Sequence, residues 1–337
     1  MTGNAETVGL EKRRLGREGP TLTTLGFGTW AIGGPYRFGW GPQDDAESIA
    51  AIRRGVESGI NWIDTAPVYG IGHSEEVVGR AVRPYALGEE VYLATKCGRK
   101  WIGPREGGGL VFDLRPESIR EECEESLERL GVERIDLFQF HWPDTETGTA
   151  VEDSWGTMQE LVEEGKVRWR GVSNFDVGLL ERCERIAHVD SLQPPFSLID
   201  RRARRELIPW CAARGVGVVV YSPMASGLLS GKYTTAAMEE LAPDDWRRRF
   251  APFQEPRLSR NLALVDRLKL VAARLETTLP ALAVAWTLAT PGVTSAIVGG
   301  RRPDQVDGWI PATELRLSER DLSEIEAAIV DTGAGDE

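Results

Sequence analysis

Apolar segments of strand length alternate with amphipathic helical segments along most of the chain. The predicted strands are residues 25–28, 60–64, 91–95, 135–140, 167–172, 191–193, 216–221 and 294–298. The predicted helices are 45–58, 74–83, 117–130, 151–165, 177–187, 203–214, 259–275 and 280–289. No linker or low-complexity stretch divides the eight units, and strand 216–221 is almost continuously apolar, as a parallel strand covered on both faces should be. The pattern predicts one α/β domain over 13–332, a closed (β/α)8 TIM barrel.

The segments outside this alternation have separate predictions. Residues 1–12 are expected to be a disordered tail, and two short strands around a glycine turn within 13–26 predict an N-terminal β-hairpin. Segment 222–258 is predicted to be long and irregular. The barrel should therefore carry long loops at the end where the chemistry takes place.

Composition excludes several classes of partner and site. A net charge of −12 argues against nucleic acid and anionic membranes as partners. The cysteines are widely spaced, with no Cys-x-x-Cys pair and no neighbouring histidine, so we expect reduced thiols and no metal site. The N-terminus is polar and no apolar run reaches transmembrane length. These features predict a cytoplasmic protein; oligomeric state is left open.

Four reactive side chains follow three consecutive predicted strands. Asp64 ends the second strand with Tyr69 in its loop, Lys96 ends the third, and His141 ends the fourth. Taken singly, each has an ordinary structural interpretation: Asp64 as a cap, Tyr69 in packing, Lys96 as a solvated terminus and His141 as a satisfied structural histidine. A barrel, however, brings the C-terminal ends of its strands to one rim. The set therefore predicts an active site.

This set suits proton donation to a carbonyl oxygen while hydride reaches the carbonyl carbon. A phenol is a weak acid at neutral pH, and an adjacent ammonium favours its ionised form. Asp64 would keep Lys96 charged and oriented, and His141 would donate a hydrogen bond to the substrate oxygen. Such a site is expected to use no covalent nucleophile and no metal. The hydride must then come from a cofactor.

The remaining strand ends are predicted to hold a dinucleotide. Ser173, Asn174 and Gln193 can bond an amide, and Tyr221 offers a flat face for a ring. The loop after Tyr221 is rich in small residues and backbone amides and suits a pyrophosphate. Its candidate residues are Ser222, Pro223, Met224, Ala225, Ser226, Gly227, Leu228, Ser230 and Lys232. The last strand ends in Gly299, Gly300 and Arg301, with Gln305 on a helix opened by Pro303, a natural anion site.

Two nucleotide-binding motifs are rejected. Gly28, Thr29 and Trp30 follow a glycine-rich strand, but the residues after them cannot open a helix, which excludes a Rossmann fingerprint. Gly28 still permits close approach of a ligand. Gly28, Thr29 and Trp30, together with Asp64, are therefore predicted to contact the cofactor. The loop after Tyr221 is one residue short of a Walker motif and carries Tyr233 in place of Ser or Thr.

Taken together, these motifs resemble the aldo-keto reductase family over residues 13–330. The resemblance rests on Gly-Ile-Asn-Trp-Ile-Asp-Thr-Ala-Pro-Val-Tyr-Gly at 59–70, Ala-Thr-Lys at 94–96, Phe-His at 140–141, Gly-Val-Ser-Asn-Phe at 171–175, Tyr-Ser-Pro at 221–223 and Ser-Gly-Leu-Leu-Ser-Gly-Lys-Tyr at 226–233. Segments 69–76 and 141–144 are most similar to the bacterial branch that contains an inositol-catabolism-associated reductase.

The resemblance implies an NADP(H)-dependent reductase of aldehydes or ketones. It implies Tyr69 as general acid, Lys96 and Asp64 as its tuning pair, and His141 as the residue that orients the substrate. It also implies that Ser173, Asn174 and Gln193 hold the nicotinamide carboxamide, that Tyr221 stacks on the ring, and that Arg301 and Gln305 bind the 2′-phosphate end. Trp30, Tyr69, His141 and Trp142 are the expected substrate pocket. Relatives usually carry an adenine-binding Asn where this chain has Trp309, which leaves the preference for NADPH over NADH open.

Two other functions remain open from the sequence. One is a non-catalytic or redox-sensing NADP(H)-binding regulatory subunit on the same fold, like the potassium-channel β-subunits. The other is an isomerase or lyase on a barrel, which needs no nicotinamide. The substrate itself is not determined, because aromatic pocket walls suit a sugar, a ketone or an aryl aldehyde equally.

Overall fold

The computed structural model describes residues 9–105, 107–241 and 245–335. Most of the predicted tail, residues 1–8, lies outside this part of the chain. The prediction of a disordered tail over 1–12 was wrong at Lys12, which pairs with Thr23 in a strand. The backbone hydrogen bonds of that pairing order the segment.

Eight parallel strands form a closed barrel, which confirms the predicted fold class. In chain order they are β3 (Leu25–Gly28), β4 (Trp62–Asp64), β5 (Tyr92–Cys97), β8 (Ile135–Phe140), β9 (Val167–Ser173), β10 (Ser191–Gln193), β11 (Gly217–Val220) and β12 (Ser295–Gly299). Each pairs with the next, and β12 pairs with β3 to close the barrel. All strand ends that were predicted to carry chemistry therefore lie at one rim.

Helices cover the outside of the barrel between the strands. They are α1 (Asp45–Glu57), α2 (His73–Val82), α3 (Pro116–Leu130), α4 (Val151–Glu163), α5 (Val177–Glu184), α6 (Leu207–Arg214), α7 (Thr235–Glu239), α8 (Arg257–Arg274), α9 (Leu279–Leu288), α10 (Pro303–Asp307) and α11 (Glu319–Thr332). Local signals explain several starts: Asp44, Asp176 and Thr278 accept a hydrogen bond from the backbone of the first helical turn. Helix α6 begins later than predicted, after a 3₁₀ turn, with Pro209 in its first turn, where a missing N–H costs little.

The N-terminal hairpin closes one end of the barrel. Its strands, β1 (Lys12–Arg14) and β2 (Thr21–Thr23), carry Leu15 and Leu22 into contact with Trp62 and other inward-facing side chains. Gly26 allows this packing, because a Cβ there would lie 2.2 Å from the Trp62 ring. With the N-terminal end filled, the C-terminal end is the one that a ligand can enter.

One hairpin and two helices escaped the sequence analysis. The hairpin, β6 (Arg99–Ile102) and β7 (Gly109–Phe112), follows β5. Helix α7 lies within segment 222–258, which was predicted to be irregular, and helix α11 follows the last predicted unit. The hairpin strands have four residues each, a length at which alternation is a weak signal. This hairpin stands at the same rim as the predicted active site.

Two general features complete the fold. All four cysteines are buried and unpaired. Among the helices of the described residues, none combines the length and the apolar composition that crossing a bilayer requires.

Candidate active site

Lys96 is fully buried near the C-terminal end of β5. Its ammonium donates to Asp64 Oδ1 at 2.6 Å, to the carbonyl oxygen of Thr65 at 2.8 Å and to the hydroxyl oxygen of Tyr69 at 3.5 Å. Burial lowers the pKa of Lys96, and the Asp64 carboxylate opposes that shift. Since an ammonium has three N–H donors, every donor of Lys96 has an acceptor, which a buried charge requires.

The carboxylate of Asp64 accepts a hydrogen bond at each oxygen. Lys96 donates to Oδ1, and Nε2 of Gln193 donates to Oδ2 at 2.9 Å. The nitrogen of Gln193 is therefore engaged inside the protein. Its Oε1 accepts no hydrogen bond from the described residues, so that oxygen is the part of Gln193 that can accept one from a ligand.

Tyr69 lies between the lysine and the histidine. Its ring meets that of His141 edge to face, with centroids 5.7 Å apart, and Lys96 Nζ lies 5.2 Å from its centroid. Burial raises the pKa of Tyr69, the charge of Asp64 raises it further, and the charge of Arg99 opposes the rise. The phenol is thus protonated at neutral pH and sits beside a cation that would stabilise its ionised form.

The loop that carries Tyr69 is fixed against the loop after β3. Gly70 has a φ of +66°, and a Cβ there would lie 1.8 Å from the carbonyl oxygen of Gly33. Arg105, from the loop of the second hairpin, donates to the carbonyl oxygen of Gly70 at 2.9 Å. Only glycine allows this approach, so the position of Tyr69 depends on it.

His141 is buried directly after β8. Its backbone N–H donates to the carbonyl oxygen of Cys97, and its own carbonyl oxygen accepts from Nδ2 of Asn174 at 3.0 Å. Burial lowers the pKa of His141 well below 6.5, and the charges of Lys96 and Arg99 lower it further. A neutral imidazole can donate one hydrogen bond to a ligand oxygen, but it cannot act as the acid.

The four residues predicted to hold a nicotinamide are hydrogen bonded to one another. Ser173 Oγ donates to the carbonyl oxygen of Gln193 at 2.7 Å, Asn174 Nδ2 donates to Ser173 Oγ at 3.0 Å, and the Tyr221 hydroxyl donates to Asn174 Oδ1 at 2.8 Å. The structure therefore brings these residues together. The hydrogen bond to Asn174 also fixes the orientation of the Tyr221 ring.

The loop after β11 has a backbone conformation that few residues adopt. Ser222, Ala225, Ser226 and Gly227 have φ values of +56°, +47°, +56° and +91°. Strained backbone of this kind concentrates at ligand-binding sites, and alternation of right- and left-handed residues gathers N–H groups into a concave anion site. The other predicted members of the loop are Pro223, Met224, Leu228, Ser230 and Lys232. Leu228 is fully buried, and its side chain packs in the hydrophobic core.

Arg301 follows β12 and binds the loop after β3. Its Nε donates to Gln43 Oε1 at 2.5 Å and its Nη1 to the carbonyl oxygen of Trp40 at 3.0 Å. Its backbone N–H donates to Gln305 Oε1 at 2.7 Å. Burial lowers the pKa of Arg301, and the charge of Arg302 lowers it further. An anion bound beside Arg301 would offset the repulsion between the Arg301 and Arg302 charges.

Trp309, at the position where the family resemblance led us to expect an adenine-binding Asn, belongs to the core. It is 2% exposed, and its ring lies 6.4 Å from that of Phe27. The Trp309 ring therefore packs behind β3 and offers no aromatic face at the rim.

The loops after β3 and β11 meet in a tryptophan cluster. The ring of Trp30 lies 5.0 Å from that of Trp246 and 5.5 Å from that of Trp40. The Arg247 guanidinium lies 4.8 Å from the Trp40 ring. The indole N–H groups of Trp40 and Trp246 are buried and have no partner among the described residues. Trp246 and Arg247 were not predicted, because nothing near them in sequence indicates a partner two hundred residues away.

The remaining predicted cofactor residues lie at the junction of the first and last barrel strands. Gly28 pairs with Gly299, so no side chain fills the rim there, and Gly300 is buried behind them. Thr29 is fully buried, and its hydroxyl donates to the carbonyl oxygen of Asp64 at 3.0 Å. Its backbone N–H donates to the same oxygen at 3.0 Å, and its carbonyl oxygen accepts from the Ser74 hydroxyl at 3.2 Å. Thr29 therefore supports Asp64 from behind the rim.

Arg99 is the functional candidate that the sequence analysis missed. Its guanidinium lies 5.8 Å from the ring of Trp142, a predicted pocket residue, and its charge acts on both Tyr69 and His141. The sequence signal was a basic residue at the start of an alternating segment shortly after Lys96. Without the hairpin, nothing indicated that this residue turns back over the rim.

Comparison with known proteins places the chain in a family. The sequence model described as "Aldo/keto reductase family" matches residues 24–330. The chain is 35% identical over 324 residues to the aldo-keto reductase YhdN of Bacillus subtilis, covering 96% of this chain and 95% of the relative. It is 34% identical to the NADH-specific methylglyoxal reductase of Escherichia coli, covering 93% and 97%. Among solved structures, the glycerol dehydrogenase AKR11B4 of Gluconobacter oxydans matches with a TM-score of 0.86 and 34% identity, covering 97% and 96%.

Proposed function

This chain belongs to the aldo/keto reductase family, and from that membership we propose that it reduces the carbonyl group of a small aldehyde or ketone with hydride from NADPH. The observation that carries the proposal is the hydrogen-bond arrangement at Tyr69. Its hydroxyl oxygen accepts from Lys96 at 3.5 Å, which leaves the phenolic proton available to a substrate oxygen. Methylglyoxal reduction and glycerol oxidation, named for two of the relatives, are both carbonyl–alcohol conversions.

The residues of the site divide the chemistry among them. A bound nicotinamide dinucleotide supplies hydride to the carbonyl carbon. Tyr69 gives its proton to the carbonyl oxygen, Lys96 stabilises the phenolate that results, and Asp64 keeps Lys96 charged. His141, neutral in its buried position, donates a hydrogen bond that orients the same oxygen. Trp30 and Trp142 are proposed as walls of the substrate pocket.

The rim has groups that fit a dinucleotide. Oε1 of Gln193 and the hydroxyl of Ser173 can accept from a carboxamide, with Asn174 supporting them, and Tyr221 presents its oriented ring. The left-handed residues of loop 222–230 suit a pyrophosphate. The glycine pair at Gly28 and Gly299 leaves the rim unobstructed.

Preference for NADPH is proposed from the charges after β12. Burial and the charge of Arg302 lower the pKa of Arg301, and the charge of Arg247 lowers it further, whereas Glu47 alone opposes them. Lys232 acts on Asp304 in the same region. A 2′-phosphate placed among these cations would be stabilised. The relative named as NADH-specific makes this preference a property to be tested for this chain.

The test is oxidation of NADPH and NADH by the purified protein with methylglyoxal, glyceraldehyde and a nitrobenzaldehyde, followed by absorbance. We expect turnover that is faster with NADPH at equal concentration. Tight NADPH binding without turnover of any aldehyde would favour the regulatory-subunit alternative, and failure to bind either cofactor would contradict both.

A further inference from the structure

We propose that Arg99 forms an anion-binding subsite of this active site, so that the preferred substrate is a small aldehyde or ketone carrying a carboxylate or a phosphate. The inference rests on the carbonyl-reducing function proposed above and names the substrate class that the same site selects.

Arg99 lies at the barrel mouth among rings from three segments. The distances from its central guanidinium carbon to the ring centroids are 5.6 Å for Phe38, 5.8 Å for Trp142 and 6.0 Å for Phe112. Phe38 belongs to the loop after β3, Phe112 pairs with Arg99 in the second hairpin, and Trp142 directly follows His141. These rings hold the cation at the rim without neutralising it.

The guanidinium of Arg99 has no oxygen partner in the part of the chain that the structure describes. Among the described residues it makes no ion pair, and its buried Nε has no hydrogen-bond acceptor. Aromatic faces attract a cation, but they do not satisfy the five N–H donors of a guanidinium. Burial lowers the pKa of Arg99, and the groups that oppose this shift are tyrosines: Tyr69, Tyr36 and Tyr221. An anionic ligand would supply both the charge and the acceptors that the site lacks.

Other cations of the same hairpin and its turn do have oxygen partners. Lys100, the next residue, pairs with Glu121 at 2.5 Å. Arg105 donates to the carbonyl oxygens of Gly70 and Pro35. Basic side chains that stabilise this hairpin therefore bind oxygen acceptors. Arg99 differs from Lys100 and Arg105 in this respect.

The subsite is within reach of the reacting groups. The charge of Arg99 lowers the pKa of His141 and opposes the rise in that of Tyr69, and such interactions weaken with distance. Trp142 lies between the reacting groups and Arg99, since it follows His141 in sequence and its ring contacts Arg99. One small molecule can thus place its carbonyl oxygen at Tyr69 and His141 while its acid group meets Arg99.

The experiment compares matched substrates with matched variants. The carboxylate pair is para-carboxybenzaldehyde and the neutral para-formylbenzamide; the phosphate pair is glyceraldehyde with and without its phosphate. Arg99→Met removes the charge and keeps an apolar stem, Arg99→Lys keeps the charge, and Lys100→Met is the control for charge loss on the same hairpin. The kcat/KM values of each protein give the anionic-to-neutral ratio, and melting temperatures report folding.

For the wild type we expect a preference for the anionic member of at least one pair, and that pair identifies carboxylate or phosphate. Arg99→Met should lower kcat/KM for the anionic substrate by about 10- to 100-fold more than for the neutral one, as for loss of a charged hydrogen bond. The effect of the Arg99 charge on Tyr69 and His141 is common to both substrates and cancels in this ratio. Arg99→Lys should keep part of the preference, and Lys100→Met all of it. Equal losses for both substrates, or a loss confined to NADPH affinity, would overturn the inference.

A binding measurement separates this inference from the proposed function. Titration of the NADPH complex with para-(hydroxymethyl)benzoate, followed by tryptophan fluorescence, reports anion binding without turnover. Weaker binding to Arg99→Met than to Lys100→Met supports the subsite even if no aldehyde is reduced, in which case only the proposed function fails. Equal binding to the two variants would reject the subsite while leaving carbonyl reduction intact.

Discussion

The ammonium of Lys96 donates a hydrogen bond to the hydroxyl oxygen of Tyr69 at 3.5 Å, the longest of the three that it makes. The direction of this bond matters for function. Because Tyr69 accepts from Lys96, its own proton is free for a substrate. The bond should shorten as the phenol ionises, since a bond between an ammonium and a phenolate is charge-assisted at both ends.

Replacing Tyr69 by Phe removes the proposed proton donor and keeps the ring. Tyr69→Phe should lower kcat by about 10²-fold or more, the usual contribution of a general acid, with NADPH affinity nearly unchanged. Steady-state kinetics and cofactor titration measure the two effects. Tyr92→Phe, which removes a hydroxyl at the start of β5, is the matched control and should keep wild-type turnover. Similar turnover in the two variants would refute the assignment of Tyr69.

Lys96→Met tests whether Lys96 acts on the pKa of Tyr69. Without the ammonium, phenolate formation is less favourable, so reduction should slow severely while NADPH binding persists. The oxidation direction needs ionised Tyr69, so it should be lost at neutral pH. It should rise with pH through the free-phenol value of about 10 without reaching a plateau there, because burial and the Asp64 charge raise the pKa of Tyr69. The oxidation rate is therefore measured from neutral to alkaline pH.

In the Lys96→Met variant, Asp64 has lost its ammonium partner, and its charge still raises the pKa of Tyr69. The double change Lys96→Met with Asp64→Asn removes this charge and should recover at lower pH than the single variant. If Lys96 were only a structural salt bridge, melting temperature would fall while the pH–rate profile of the oxidation kept its wild-type shape.

Arg301→Ala tests the proposed 2′-phosphate contact. The change should weaken NADPH binding by about 1.5–3 kcal/mol, the range for a charged hydrogen bond, and NADH binding much less. Fluorescence titration with both cofactors measures this difference. Arg302→Ala serves as comparison, because Arg302 is exposed and already paired with Asp304 at 3.0 Å. Equal losses for NADPH and NADH would mean that Arg301 acts by holding Trp40 and Gln43, and that the phosphate binds elsewhere.

Glu122 predicts how stability depends on pH. This α3 side chain is 2% exposed, its Oε1 accepts from the Gly98 N–H at 3.0 Å, and burial raises its pKa from 4.5 to about 8. Between these values the folded protein keeps a proton that the unfolded chain releases. Stability should therefore fall as pH rises from 4.5 to about 8, by about 1.4 kcal/mol per pH unit from this group.

Glu122→Gln removes that titration. Its melting temperature should decline less than that of the wild type over the same pH range, with Glu128→Gln, an exposed change on the same helix, as control. Parallel declines in all three proteins would contradict the raised pKa.

The fold and the rim residues followed from the sequence because both depend on local patterns. Runs such as 135–140 and 216–221 identify strands by their apolar character, and closure of a parallel barrel then brings every strand end to one rim. That rule alone predicts that Asp64, Lys96 and His141 lie at the same rim. The second hairpin escaped it, because four-residue strands around a glycine-rich turn give too short a pattern.

Which partner each polar group binds was decided only by the tertiary structure. Gln193 was expected to meet a cofactor amide, and it also donates to Asp64, 129 positions away in the chain. Trp246 packs on Trp30, and the Arg99 side chain turns back over the rim without an oxygen partner among the residues that the structure describes. Such pairings depend on packing between segments distant in sequence, where no periodicity connects the two residues. Local sequence determined which groups reach the rim, and long-range packing decided which of their hydrogen bonds are left for a ligand.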